Sequence, residues 1–99
     1  MDPEVAQAVE ITSAVAAAIE RCEPAIQARS MAYRALRDGC PQDAADYARD
    51  AADAVLAVAP ELAERVTVQG VGWIVGLQVL AMLNGDLPMH DADRSNLRN

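Results

Sequence analysis

Apolar residues recur at helical spacing along most of the chain. Ala8, Ile11, Val15, Ala18 and Cys22 alternate steps of three and four, with Ile19 widening the stripe, which predicts a first helix from about Pro3 to Cys22. Pro24, directly after Glu23, suits the first position of a second helix. Gly39 closes it with a left-handed cap, after Arg34 and Arg37 have placed positive charge in the last turn. The spacing turns Ala25, Ala28, Ala32 and Leu36 inward, supplemented by Met31 and Ala35, and turns Gln27, Ser30, Arg34 and Arg37 outward. A third helix opens at Pro41, with Ala44, Ala48, Ala51, Val55 and Val58 as its packing stripe.

The next segment breaks this amphipathic pattern. Residues 66–83 are eighteen consecutive uncharged positions that hold the only Trp and three of the five Gly. Pro60 interrupts the chain, Glu61 and Glu64 suit a helix start, and Asn84-Gly85 suits a helix end, so a fourth helix is expected from there to Leu83. It is apolar all round. Val68, Val71, Val75, Val79 and Met82 fall on one side, Trp73, Leu77 and Leu80 on another, and Gly72 and Gly76 form a flat strip between them. Val-rich alternation over residues 66–71 leaves a short strand as the alternative at its start. The expected architecture is a small all-α four-helix bundle over residues 1–85, with this apolar C-terminal helix at its centre and a mobile polar tail over 86–99.

A membrane span is the competing reading of residues 66–83, which would make the chain a small single-pass protein of the phage membrane-lesion type. A span needs about 20 mainly apolar residues. Here two Gln and three Gly interrupt the run, and no basic cluster flanks it to set orientation. Gly72-Trp-Ile-Val-Gly76 has the spacing that lets lipid-embedded helices touch. It equally suits contact between two soluble copies. The three amphipathic helices each need a covering face, which favours the bundle.

Composition points the same way. Of the apolar residues 21 are Ala, and Tyr33, Tyr47 and Trp73 are the only aromatics, so a monomeric core would be shallow and a second copy would add burial. Gly72, Trp73, Gly76 and Val79 are therefore the expected homodimer interface. Fifteen acids against eight bases, all Arg, give a net charge of −7, which disfavours nonspecific binding to phosphate backbones. Arg29, Arg34 and Arg37 make the second helix locally basic, but the overall charge and the lack of a basic arm count against a DNA-reading helix pair. The absence of Lys beside abundant Ala, Val, Arg and Asp looks like the codon bias of a high-GC genome, that of a bacterium or its phage.

The third helix holds a seven-residue repeat, Asp43-Ala-Ala-Asp-Tyr-Ala-Arg49 followed by Asp50-Ala-Ala-Asp-Ala-Val-Leu56. It places Asp43, Asp46, Asp50 and Asp53 in a row opposite the Ala stripe. This row is either a solvated face, with Arg49 pairing to Asp46 or Asp53, or a docking strip for a basic protein. Gly39, Ala44, Ala48 and Ala51 also fall where a tetratricopeptide-type hairpin carries its turn glycine and small packing residues. Over roughly a third of the chain the sequence resembles one such hairpin. It lacks the family's early bulky residues, Pro60 comes late, and there is no second copy, so the resemblance implies an Ala-rich hairpin and carries no peptide-binding function.

Catalytic chemistry is thinly represented. His90 is the only His, placed in the tail away from Ser13 and Ser30, so no triad is expected, and with no cofactor or metal motif the chain reads as non-enzymatic. Asp91-Ala-Asp93-Arg-Ser95-Asn96 mimics the opening of a calcium loop but lacks its Gly and its closing acid. Cys22 and Cys40 bracket the second helix, about 22 Å long at 1.5 Å per residue, too far apart to bridge. Two free thiols suit a cytoplasm. Cys40, just before a helix start, is a candidate reactive thiol opposed by Asp38 and Asp43. The N-terminal Met-Asp-Pro-Glu lacks a signal-peptide pattern, so export is not expected.

Overall fold

Three of the four helices begin at a proline signal. The computed structural model describes residues 2–87, and in it α1 spans Pro3–Glu20, α2 Glu23–Arg37, α3 Pro41–Val58 and α4 Val68–Leu83, with a 3-10 turn at Pro60–Glu64. Pro lies in the opening positions of α1, α2 and α3, where its missing N–H costs nothing. Asp2 caps α1 by accepting from the Glu4 amide at 3.0 Å. Gly39 (φ 82°) and Gly85 (φ 79°) close α2 and α4 in the left-handed conformation. In both closures two amides turn back on the last turn: Gly39 N donates to Leu36 O at 3.1 Å and Cys40 N to Ala35 O at 2.8 Å, and Gly85 and Asp86 repeat the pattern on Met82 and Ala81. Among the described residues there is no strand, and the fold is the expected all-α four-helix bundle.

The fourth helix starts later than its sequence pattern predicts. Residues 60–64 close as a 3-10 turn whose Leu62 is buried, and Thr67 then adopts an extended conformation (φ −82°, ψ 164°). Its hydroxyl accepts from the Gly70 amide at 3.0 Å, so Thr67 is the N-cap and the helix cannot extend back to Glu61. Gly70 lies against the Val66 side chain just before the cap. A Cβ there would lie 2.7 Å from Val66 Cγ2. The short strand considered at residues 66–71 is replaced by this cap and the first helical turn.

Packing centres on the α2–α3 hairpin, with α4 laid against both and α1 touching all three more lightly. The core joins Val15, Ala18 and Ile19 of α1 to Ile26 and Tyr33 of α2, Ala51 and Val55 of α3, and Val71, Val75 and Val79 of α4. Small residues let the α2–α3 pair come close, Ala32 and Ala51 being essentially inaccessible.

Several faces depart from expectation. On α2 the buried set is Ala25, Ile26, Arg29, Ser30, Ala32 and Tyr33, so Ser30 turns in where it was expected out, because α2 is covered on two sides. On α3 Ala52 joins the buried stripe and Val58, at 58% exposure, leaves it. On α1 every residue from 2 to 10 is exposed, so its first turns bury no side chain. α4 contacts each of the other helices, as a central helix should, but buries only Val71, Val75, Val79 and Met82. It has sixteen residues, and among the described residues no helix is long and apolar enough to cross a membrane. Of the tail expected over 86–99, the part from residue 88 on, with His90 and residues 91–96, lies outside the described residues.

Candidate interaction surface

Two large apolar side chains per turn give α4 more hydrophobic surface than one bundle can cover. Its Val71, Val75, Val79 and Met82 stripe fills the core. The opposite side carries Trp73, Leu77 and Leu80 at 73%, 55% and 50% exposure. Between the two lies the glycine strip. A Cβ built on Gly72 or Gly76 would meet nothing within 4 Å, so packing among the described residues does not require these glycines. A glycine inside a helix costs about 0.5–1 kcal/mol relative to Ala.

The space above the strip is a groove of about 680 Å³ between α3 and α4. Ala32 and Leu36 of α2 with Val79 of α4 line it from below, Ala44, Ala45 and Ala48 of α3 form one wall, and Gly72, Gly76, Leu77 and Leu80 form the other. The groove exists because the helices face each other there with Ala and Gly, leaving no side chain to fill it. Of the four expected interface residues, Gly72, Trp73 and Gly76 lie on this open face. Val79 does not: at 2% exposure it belongs to the chain's own core and only floors the groove.

Charge on the groove-bearing α3 is arranged differently from expectation. Asp43, Asp46, Asp50 and Asp53 are all exposed. Arg49 lines the groove and forms no ion pair with Asp46 or Asp53 among the described residues. The ion pairs that do form lie elsewhere, Arg65 with Glu10 at 3.2 Å and Arg37 with Asp38 at 3.1 Å among them. The acidic row is thus uncompensated along α3, next to an apolar groove.

A second feature, unanticipated from the sequence, lies across α4 from the groove. Arg29 is fully buried. Its Nη1 donates to Gln78 Oε1 at 2.8 Å and to Glu20 Oε1 at 3.4 Å, while Nε and Nη2 have no partner. Glu20 is half exposed, so its carboxylate is shared with solvent and screens the buried charge only in part. Gln78 is therefore the principal internal partner of a buried cation.

The cysteines are free, Cys22 buried with its thiol 3.7 Å from the Ala54 carbonyl, and Cys40 exposed at the start of α3. Among the described residues no group of three or more His, Cys, Asp or Glu side chains is placed to hold a metal ion. Compared with protein-family models, curated proteins and solved structures, the chain finds no match. The exposed chemistry of α3 and α4 is what remains to argue function from.

Proposed function

We propose that the chain is a non-enzymatic helical interaction or regulatory module that works as a homodimer through the open face of α4 and presents the acidic row of α3 to a basic protein. The observation that carries this reading is the contiguous apolar face of Trp73, Leu77 and Leu80 beside an unfilled groove. Exposed apolar surface of this kind, rimmed by polar residues, marks association sites. The unbridged cysteines support a cytoplasmic placement.

Size-exclusion chromatography with light scattering tests the dimer directly. The wild type should elute as a dimer, and Gly76→Leu should give a folded monomer. The Leu has open space within its own chain but would hold a second helix away from the strip. A wild type that stays monomeric at high micromolar concentration would overturn the dimer.

The acidic row has its own test. Changing Asp46 and Asp50 to Asn should slow association with a basic partner protein and flatten its salt dependence. Stability should stay within about 0.5 kcal/mol, as for exposed positions generally. Association with unaltered rate and salt dependence would identify the row as a solvated face.

A further inference from the structure

The groove and the most exposed large hydrophobic side chain among the described residues lie on the same surface. Trp73, 73% exposed, stands at the edge of a hole that the described residues leave empty. A knob beside a hole on one face is self-complementary under a two-fold axis, because the rotation that seats one knob seats the other. We propose that two copies pair in this way, the Trp73 of each inserted into the α3–α4 groove of the other, with Arg49 over the partner's Trp73. The proposal rests on self-association through α4 and specifies how it is made.

Two observations favour a second copy as the occupant. The groove is lined mostly by Ala, Gly, Val and Leu, with Gln69 and Arg49 as its polar members, a largely apolar surface suited to an indole, and Trp is among the commonest anchors of protein interfaces. Arg49 is the sole charged residue lining the groove and has no ion pair among the described residues. A guanidinium lining the groove can stack on an aromatic ring that enters it. The acids that would repel a like-charged copy, Asp43, Asp46, Asp50 and Asp53, are outside the lining.

Two variants separate knob from hole. Trp73→Ala removes the knob, and with it one side chain from the edge of its own groove, but leaves the Ala and Gly walls in place, while Ala45→Leu narrows the hole from its α3 wall and keeps the knob. Both positions are exposed, so both proteins should keep the wild-type helical circular dichroism. Each alone should dimerise at least about 30-fold more weakly than wild type, the loss expected for an interface anchor. Mixed in equal amounts they should form a heterodimer in preference to either homodimer, since only the mixed pair can seat one Trp in one open groove.

The single Trp makes the exchange visible. Trp73→Ala is dark at indole excitation, so the Ala45→Leu emission should shift to the blue when the dark variant is added and stay unchanged when more Ala45→Leu is added. Wild-type emission should itself shift to the blue, with reduced acrylamide quenching, as concentration is raised through the dimerisation range, a readout that needs no variant. A wild-type dimer unaffected by either substitution would overturn the knob-and-hole geometry while leaving self-association standing on another face. Weakening by both variants without rescue on mixing would also overturn it, in favour of two α4 strips packed side by side. A monomeric wild type would remove the proposal together with the dimer on which it rests.

Discussion

Replacing Gln78 by Leu should lower the stability of the fold by about 2 kcal/mol, or roughly 10 °C in the melting temperature of a domain this size. The reason lies in Arg29. Its guanidinium is inaccessible to solvent, two of its nitrogens have no partner, and its closest acceptor is the Gln78 side-chain oxygen at 2.8 Å. Taking that acceptor away leaves Nη1 with only Glu20, 3.4 Å distant and half solvated. Arg29→Met should behave oppositely. It fills the same volume without a charge to desolvate, and replacing a buried ion by a packed apolar chain is often neutral or stabilising by about 1–4 kcal/mol. The double variant should then be at least as stable as wild type, because the Leu at position 78 no longer faces a cation. Thermal melts of the three proteins decide the matter. An unaltered melting temperature for Gln78→Leu would mean that something other than this amide solvates the guanidinium.

Arg29 also marks where the sequence stops being legible. Helix starts could be read from Pro3, Pro24 and Pro41 and helix ends from Gly39 and Gly85, because proline and glycine act through local backbone sterics that need no tertiary context. The burial of Arg29 and Ser30 could not. Both are residue types that normally mark a solvated face, and their burial depends on α1 and α4 covering α2 from sides that its own periodicity does not specify. The start of α4 failed for a related reason. Two acids after a proline read as a helix start, but Leu62 is drawn into the core within a 3-10 turn and Thr67 then caps the helix three residues beyond that turn.

The candidate site divides along the same line. The sequence showed that Trp73, Leu77 and Leu80 share one side of α4 and that Gly72 and Gly76 form a strip. Which side would be buried was not decidable, since both are apolar. The structure buries the β-branched side, whose Val71, Val75 and Val79 suit a close approach to Ala-rich helices, and leaves the bulkier side out. The groove is equally invisible in sequence. It arises from small residues on two helices that meet face to face, and spacing along one helix does not report the other.

Ile19→Ala should be the most damaging single truncation, costing about 2–5 kcal/mol against a total stability of about 5–15 kcal/mol for a typical domain. Val9→Ala, in the same helix, should stay within about 0.5 kcal/mol. The contrast follows from how α1 is held. Val15, Ala18 and Ile19 are completely buried, whereas Val9 is 57% exposed and residues 2–10 are all exposed. α1 therefore buries its apolar side chains only in its C-terminal half, and Ile19 is its largest anchor. Its loss should release α1 before the rest of the bundle. Amide exchange at residues 15–20 should accelerate toward the rates of residues 6–10, while α2 and α3, the most extensively packed pair, keep their protection. Undocking would also carry Glu20 away from Arg29 and expose the guanidinium to water, so Ile19→Ala and Arg29→Met should combine non-additively. Equal loss of protection across α1, α2 and α3 would refute the separate docking of α1 and show that the four helices unfold as one unit.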